Sequence, residues 1–336
     1  MRFDPINSNP KLKAPKGDRN YAVSALEALI QEASEYKVIS ASPLPDGRHT
    51  LGSGHIQGVA MDDEYVILTT SAWKGYIFQS QYNAGIFTVR QLTPVADYVH
   101  PGGFQIIGSY IAVPVYNDDN AAILFYNYKK GMQYAGRFDT GKEKAYCVGI
   151  THTTDKAGNE FYVMAVVSDN KGRSVDFYRM PSGALLSDGK FEFKPIGTWK
   201  NGKDINKKQW QPDKKWNNYP NSMSLLADES GNVYLLGLKT NGLGGFGKDL
   251  ADLYQIDLDK PANEMVTKLA SFHAKLEEPA FRWGASASVT SDTRIRIVVS
   301  ERNIRNGNTE IRLNILHASD NVPFGIIASG DYPQAV

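Results

Sequence analysis

The 336-residue chain contains one cysteine, Cys147, which excludes an internal disulfide and a cysteine-based zinc site. It carries almost no net charge: 37 Lys and Arg against 36 Asp and Glu leave +1. No overall field draws such a body to a polyanion, so nucleic acid is not an expected partner. No apolar run approaches the roughly 18 residues of a membrane helix, so no membrane partner is expected either. Residues 1–20 are polar and dotted with proline, without the apolar centre of a signal peptide. That favours a cytoplasmic location, and a secreted chain that had lost its leader would read the same. Disorder as the main state is excluded, because 42% apolar and 22% charged residues are ordinary for a chain with a sizeable core.

Helix signals are scarce. The spacing predicts one helix over 24–36, with Ser24 and Glu27 as a capping box and Leu26, Leu29, Ile30 and Ala33 at helical spacing. After residue 37 the chain reads as short runs rich in Val, Ile, Tyr and Phe, broken by Gly, Asn, Asp and Pro. Residues 65–70, 75–81, 110–115, 122–128, 161–167, 233–238 and 294–299 are examples. This is the pattern of consecutive antiparallel strands.

One unit recurs. His55-Ile56-Gln57-Gly58-Val59 returns as His100-Pro101-Gly102-Gly103-Phe104, and the strand tyrosines that follow, Tyr65 and Tyr110, are also 45 residues apart. Further copies begin at Tyr146, Tyr219 and Arg282. The fourth position is always small: Gly58, Gly103, Gly149, Ser222 and Ala285. Three more strand-like runs follow each copy. Four antiparallel strands, repeated five times, resemble the five-bladed β-propeller architecture, and the resemblance covers residue 36 to the C-terminus. No WD series, kelch pattern or sialidase Asp-box accompanies it. The expected organisation is an N-terminal arm and helix over 1–35, then one all-β propeller over 36–336 with blades starting near 55, 100, 146, 219 and 282. A strand over 36–43 should complete the fifth blade and close the ring, removing exposed edges; residues 323–329 are a rival for that place. The small fourth residues fit strands crowded around an axis.

In this geometry the first positions, His55, His100, Tyr146, Tyr219 and Arg282, form a ring at one mouth of the central channel. Gln57 and Asn221 lie one side chain deeper. Loops between second and third strands would add Trp73, Lys74, Asn117, Asp118, Asp169, Lys239, Asn241, Glu301 and Arg302. The ring holds donors and no carboxylate, which suits a small polar or anionic ligand such as a carboxylate, phosphate, sulfate or sugar acid. His55 or His100, with Tyr146 or Tyr219, could act as base and acid, as in a lyase, isomerase or hydrolase, with Arg282 stabilising negative charge. The alternatives are a ring that merely plugs the channel, or a non-catalytic propeller recognising a glycan or protein surface.

A soluble monomer without a cofactor is expected. The two histidines lack a third ligand for a transition metal, and structural calcium at Asp118, Asp119 and Asn120 lacks EF-hand spacing. A basic, tryptophan-dotted insertion over 199–218, with local charge +4, reads either as a wall over the mouth or as a solvated loop pinned by its tryptophans. The glycine-rich run over 241–248 lacks the order of a phosphate loop. Cys147 reads as a nucleophile paired with a ring histidine, or as a small core residue.

Overall fold

The computed structural model describes residues 11, 21–31, 35–40, 55–71, 75–83, 86–95, 98–168, 174–183, 189–200, 222–241, 248–274, 281, 283–302 and 310–317. They form a five-bladed β-propeller of four-stranded antiparallel blades with one α-helix. The helix is α1 (Tyr21–Gln31). Strand β1 (Glu35–Ser40) follows it.

Blade 1 holds β2 (Ile56–Met61), β3 (Tyr65–Thr70), β4 (Tyr76–Asn83) and β5 (Ile86–Pro94), from the axis outward. Blade 2 holds β6 (Gln105–Ile107), β7 (Tyr110–Tyr116), β8 (Ala121–Asn127) and β9 (Gln133–Asp139). Blade 3 is built from β10 (Cys147–Thr154), β11 (Glu160–Val167), β12 (Ser174–Pro181) and β13 (Lys194–Lys200). Blade 4 is built from β14 (Met223–Ala227), β15 (Val233–Asn241), β16 (Lys248–Ile256) and β17 (Val266–Ala274). Blade 5 takes β18 (Ala285–Val289), β19 (Ile295–Ser300) and β20 (Glu310–His317) from the end of the described chain, and β1 from its start.

Ring closure is a backbone event. β1 pairs antiparallel with β20, with Glu35 opposite Ile315 and Ser40 opposite Glu310. The same strand touches blade 1 through a short parallel pairing with β5, where Ile39 faces Phe87. The innermost strands neighbour one another in the cycle β2, β6, β10, β14, β18 and back to β2.

Both faces of a blade meet a neighbour, which explains why strands such as β7 and β8 are buried along nearly their whole length rather than alternating. All seven residues of β8 are buried. Apolar layers fill each gap: Phe104, Phe125 and Met164 among blades 1 to 3, and Phe177, Leu225 and Tyr254 between blades 3 and 4. Leu236 and Ile297 meet between blades 4 and 5, and Leu68 and Leu313 between blades 5 and 1. Third and outermost strands shift register by one bulge in blades 1 to 4, at Gln79/Ser80, Phe125/Tyr126, Phe177/Tyr178 and Leu253/Tyr254. A bulge at that place adds the twist an outer strand needs.

The helix begins three residues before the expected cap and ends at Gln31, so Ser24 is an exposed interior position and Tyr36 belongs to β1. Tertiary packing decides this: Ala22, Leu26 and Leu29 are buried against blades 4 and 5, and that stripe outweighs the local cap. Trp199 is also relocated. It lies in β13, 1% exposed and edge-on to Tyr254 at 5.5 Å, so it packs in the core rather than walling the mouth. Residues 201–221, 242–247 and 318–336, which include the rest of both insertions and the rival closing segment, lie outside the described residues.

Crowding at the axis accounts for the small repeated positions. A Cβ on Gly58 would stand 2.8 Å from the Gly102 carbonyl oxygen, and one on Gly149 would stand 2.9 Å from the Leu225 nitrogen. At Gly102 a Cβ would come within 1.9 Å of the Tyr146 carbonyl oxygen. Backbone meets backbone there: Gly103 N donates to Tyr146 O at 3.1 Å, and Val148 N donates to Gly103 O at 2.9 Å.

Candidate functional site

Each innermost strand starts at one end of the channel, and the loop between second and third strands returns to it. In blade 1 this is direct: Ser71, just past β3, meets His55, just before β2. His55 Nδ1 lies 3.2 Å from Ser71 Oγ, and His55 Nε2 lies 2.8 Å from Gln57 Nε2. With Gln57 Nε2 as donor, the partners assign the His55 proton to Nδ1, facing Ser71 Oγ. The His55 pKa is lowered from the ordinary histidine value, first by burial and then by the charges of Arg302 and His100. Arg302 comes from blade 5 and His100 from blade 2. Ile56 N donates to Arg302 O at 2.8 Å, which ties the Arg302 loop to the start of β2. The Arg302 guanidinium sits 4.2 Å over the Trp283 ring, and Trp283 stands edge-on to His55 at 5.7 Å.

Around the rim the aromatic chain continues. His100 stacks on Tyr116 at 5.7 Å, and Tyr116 meets Tyr146 at 5.3 Å. Lys144 Nζ lies 4.5 Å from the Tyr116 ring centroid and donates to Asn117 O at 3.1 Å. His100 adopts φ 52°, the left-handed region that non-glycine residues enter at a cost of order 1 kcal/mol. The following Pro101 disfavours the right-handed helical alternative, and the exposed ring is thereby turned onto Tyr116.

His55, Gln57, His100 and Tyr146 thus share one mouth. Asn117 reaches its edge, but its side-chain oxygen accepts from Asp119 N and Asn120 N within its own loop. Glu301 is 7% exposed and accepts from Arg312 N at 2.9 Å, so it serves the backbone of blade 5. Lys239 is half-buried, its pKa lowered by burial against the opposing charge of Asp252. Tyr219, Asn221, Arg282, Trp73 and Asp169 lie outside the described residues. Cys147 is fully buried, its thiol pushed up to about 12 by burial, and it accepts from Met223 N at 3.2 Å. That thiol is a core group and not a nucleophile.

Sequence reasoning missed the groups below the ring. At the sixth repeat position stand Ala60, Gln105, Thr151, Ser224 and Ala287, and only Gln105 is long. Its amide crosses the axis: Oε1 accepts from Ile150 N and Leu225 N, both at 2.9 Å, while Nε2 donates to Leu225 O at 2.7 Å and Ala287 O at 3.3 Å. One buried glutamine therefore ties blade 2 to blades 3, 4 and 5 and partitions the channel. The contrast of one long residue among four short ones is visible in the sequence once the repeat is aligned.

Beyond Gln105 the channel opens at its opposite end into a cavity of about 330 Å³. Its wall includes Asp62, Asp63 and Glu64 from the β2–β3 turn, Tyr128 and Lys129 from blade 2, and Arg296 with Ser288 and Ser291 from blade 5. Asp62 accepts from Lys129 Nζ and Tyr128 OH, each at 2.7 Å, and from Tyr65 N at 2.6 Å. Burial works against its ionisation, but these donors outweigh it and hold the carboxyl below its ordinary value. Among the described residues no group of three or more His, Cys, Asp or Glu is placed to hold a metal ion.

No family model matches the chain, and no curated protein does. Solved structures of similar shape include a hypothetical protein from Leishmania major, at 9% identity and TM-score 0.45, over 88% of this chain and 94% of that one. An endo-arabinase from Bacteroides thetaiotaomicron matches at 11% identity and TM-score 0.44, over 84% and 97% of the two chains. The Kuenenia stuttgartiensis hydrazine synthase matches at 10% identity and TM-score 0.36, over 73% of this chain, and this chain spans 64% of that one. These likenesses say nothing of what the chain binds or converts.

Proposed function

We propose that the His55 mouth binds a small anionic molecule and converts it by acid–base chemistry. The observation that carries this reading is the convergence of His55, His100 and Arg302 from three blades, close enough for the last two to depress the His55 pKa. Lys144 adds a fourth donor, and among the described residues no ion pair neutralises Lys144 or Arg302. An entering carboxylate, phosphate or sulfate supplies the missing negative charge and accepts from these donors. A neutral imidazole at pH 7 is a base ready to accept a proton. His55 fills that role, and Tyr146 is the acid across the rim. The Gln57 amide, which holds the Nε2 lone pair in the resting site, has to turn aside for that transfer, and its oxygen then accepts from the protonated Nε2.

The reading takes a free small molecule or sugar acid as ligand, a monomer as the working unit, and side chains alone as catalysts. Recognition of a protein surface finds less support: the large exposed apolar side chains among the described residues are Val99 and Tyr134, too few for a docking patch.

The test is calorimetric titration of the full chain with inorganic phosphate, citrate and glucuronate, repeated in His100→Gln and Arg302→Gln. Binding of at least one anion, weakened tenfold or more in both variants with the melting temperature kept, is the expected result. Turnover of the bound anion that is lost in His55→Gln then establishes the chemical step. Absence of binding, or equal binding in all three proteins, overturns the proposal.

A further inference from the structure

The cavity on the far side of Gln105 is about six strand residues from the His55 mouth, roughly 20 Å at the rise of a β-strand, and the proposed acid–base chemistry makes no use of it. Its volume of about 330 Å³ lies at the small end of the range for ligand pockets, roughly 300–1,000 Å³. Its two cations are already paired, against three carboxylates. Lys129 Nζ holds Asp62 at 2.7 Å and Glu64 at 3.2 Å, and Arg296 Nη1 holds Asp63 at 2.9 Å. An anion entering here would face three carboxylates. A cation would displace Lys129 or Arg296 from its partners. What remains available suits hydroxyl groups: the second lone pairs of Asp63 and Glu64, and the oxygen lone pairs of Ser288 and Ser291, whose own protons go to Met61 O and Asp63 Oδ2. Arg296 is 8% exposed, and its Nε is buried without a hydrogen-bond partner among the described residues, an uncommon state for a guanidinium donor. Ile106 and Val289 supply apolar wall between these polar groups.

We infer that this cavity is a second binding site and that it takes a neutral polyhydroxylated molecule of one or two sugar rings. Paired carboxylates and guanidinium accept from and donate to vicinal hydroxyls, while the apolar wall meets the C–H face of the ring.

Saturation-transfer NMR and calorimetry on the full chain, with glucose, galactose, arabinose and sucrose as probes and glucuronate and glucosamine as charged controls, test this. Ser291 is exposed at the cavity rim, so Ser291→Trp covers the opening without touching the core. Binding of a neutral sugar should be lost in Ser291→Trp and weakened about tenfold in Asp63→Asn, with melting temperatures retained, and unchanged in His100→Gln. The proposal is overturned if no neutral probe binds at tens of millimolar, if Ser291→Trp binds like the parent, or if a charged control binds more tightly than every neutral sugar. Because His100→Gln reports on the other mouth alone, failure here leaves the anion site standing, and the reverse also holds.

Discussion

At the His55 mouth the cations lie on aromatic rings, Lys144 on Tyr116 at 4.5 Å and Arg302 on Trp283 at 4.2 Å. At the opposite mouth Lys129 and Arg296 lie on carboxylates, at 2.7 and 2.9 Å, although Lys129 also stands 4.7 Å from the Tyr65 ring centroid. The two ends are built by the same repeated strand, so the difference comes from the residues just before and just after it. A ring face holds a cation without cancelling its charge, and the site keeps a positive field for a ligand to answer. A carboxylate cancels it, leaving a rigid array of donors and acceptors. One propeller thus carries two mouths of different electrostatic build, separated by the Gln105 amide.

The largest effect on that arrangement should come from Gly102→Ala. Its Cβ would stand 1.9 Å from the Tyr146 carbonyl oxygen, a backbone atom that no side-chain rotation can move away. We expect about 3 kcal/mol or more of lost stability by chemical denaturation, with collapse of the His55 mouth first. A loss under about 1 kcal/mol would mean that the two inner strands do not touch there. Next is Gln105→Leu, which removes four hydrogen bonds and strands Ile150 N and Leu225 N. It should cost about 2–4 kcal/mol, and by removing the polar partition it should make a ligand at one mouth affect affinity at the other. Unchanged stability would dismiss the axial tie.

Tyr128→Phe deletes the hydroxyl that donates to Asp62 at 2.7 Å and Gly108 O at 3.1 Å. About 1 kcal/mol is expected, with anion binding at the far mouth untouched; calorimetry of both events checks the separation. The smallest effect is on pH dependence. Because the folded His55 pKa is depressed below 6.5, the unfolded chain binds the proton more readily. The His55 contribution is therefore complete above pH 6.5 and lost as pH falls through the lowered folded value. Melting curves between pH 5 and 8 should show a shallower acid loss in His55→Gln than in the parent. A steeper one would mean that burial and the Arg302 and His100 charges do not depress the folded value.

Much of the architecture was written in the sequence because axial crowding leaves a local mark. Gly58, Gly103 and Gly149 repeat where backbones touch, and apolar runs repeat where blades stack. The blade turns carry a mark of their own: Asp155 and Asp228 each accept from the Asn four residues on, with Gly158 and Gly231 at positive φ between them. The site was legible only at its anchors. His55 and His100 stand at a repeated position, whereas Tyr116 and Lys144 reach the mouth from places that no periodicity singles out. Glu301 and Asn117 read as ligands by position, yet their side chains satisfy nearby backbone, a choice set by rotamer and loop shape. The second mouth escaped notice because its members follow the strands instead of leading them. The helix boundary moved because buried Leu26 and Leu29 count for more than a capping box.

The antiparallel match of β1 with β20 has a consequence for biosynthesis. Glu35 leaves the ribosome about 280 residues ahead of its partner Ile315, so a nascent chain must hold an unmated edge through most of translation. The last blade to be completed needs the first strand made, and a chain truncated before β20 would expose that edge to its neighbours. Closure of the ring therefore waits for the synthesis of β20, when a linear polymer becomes a circle.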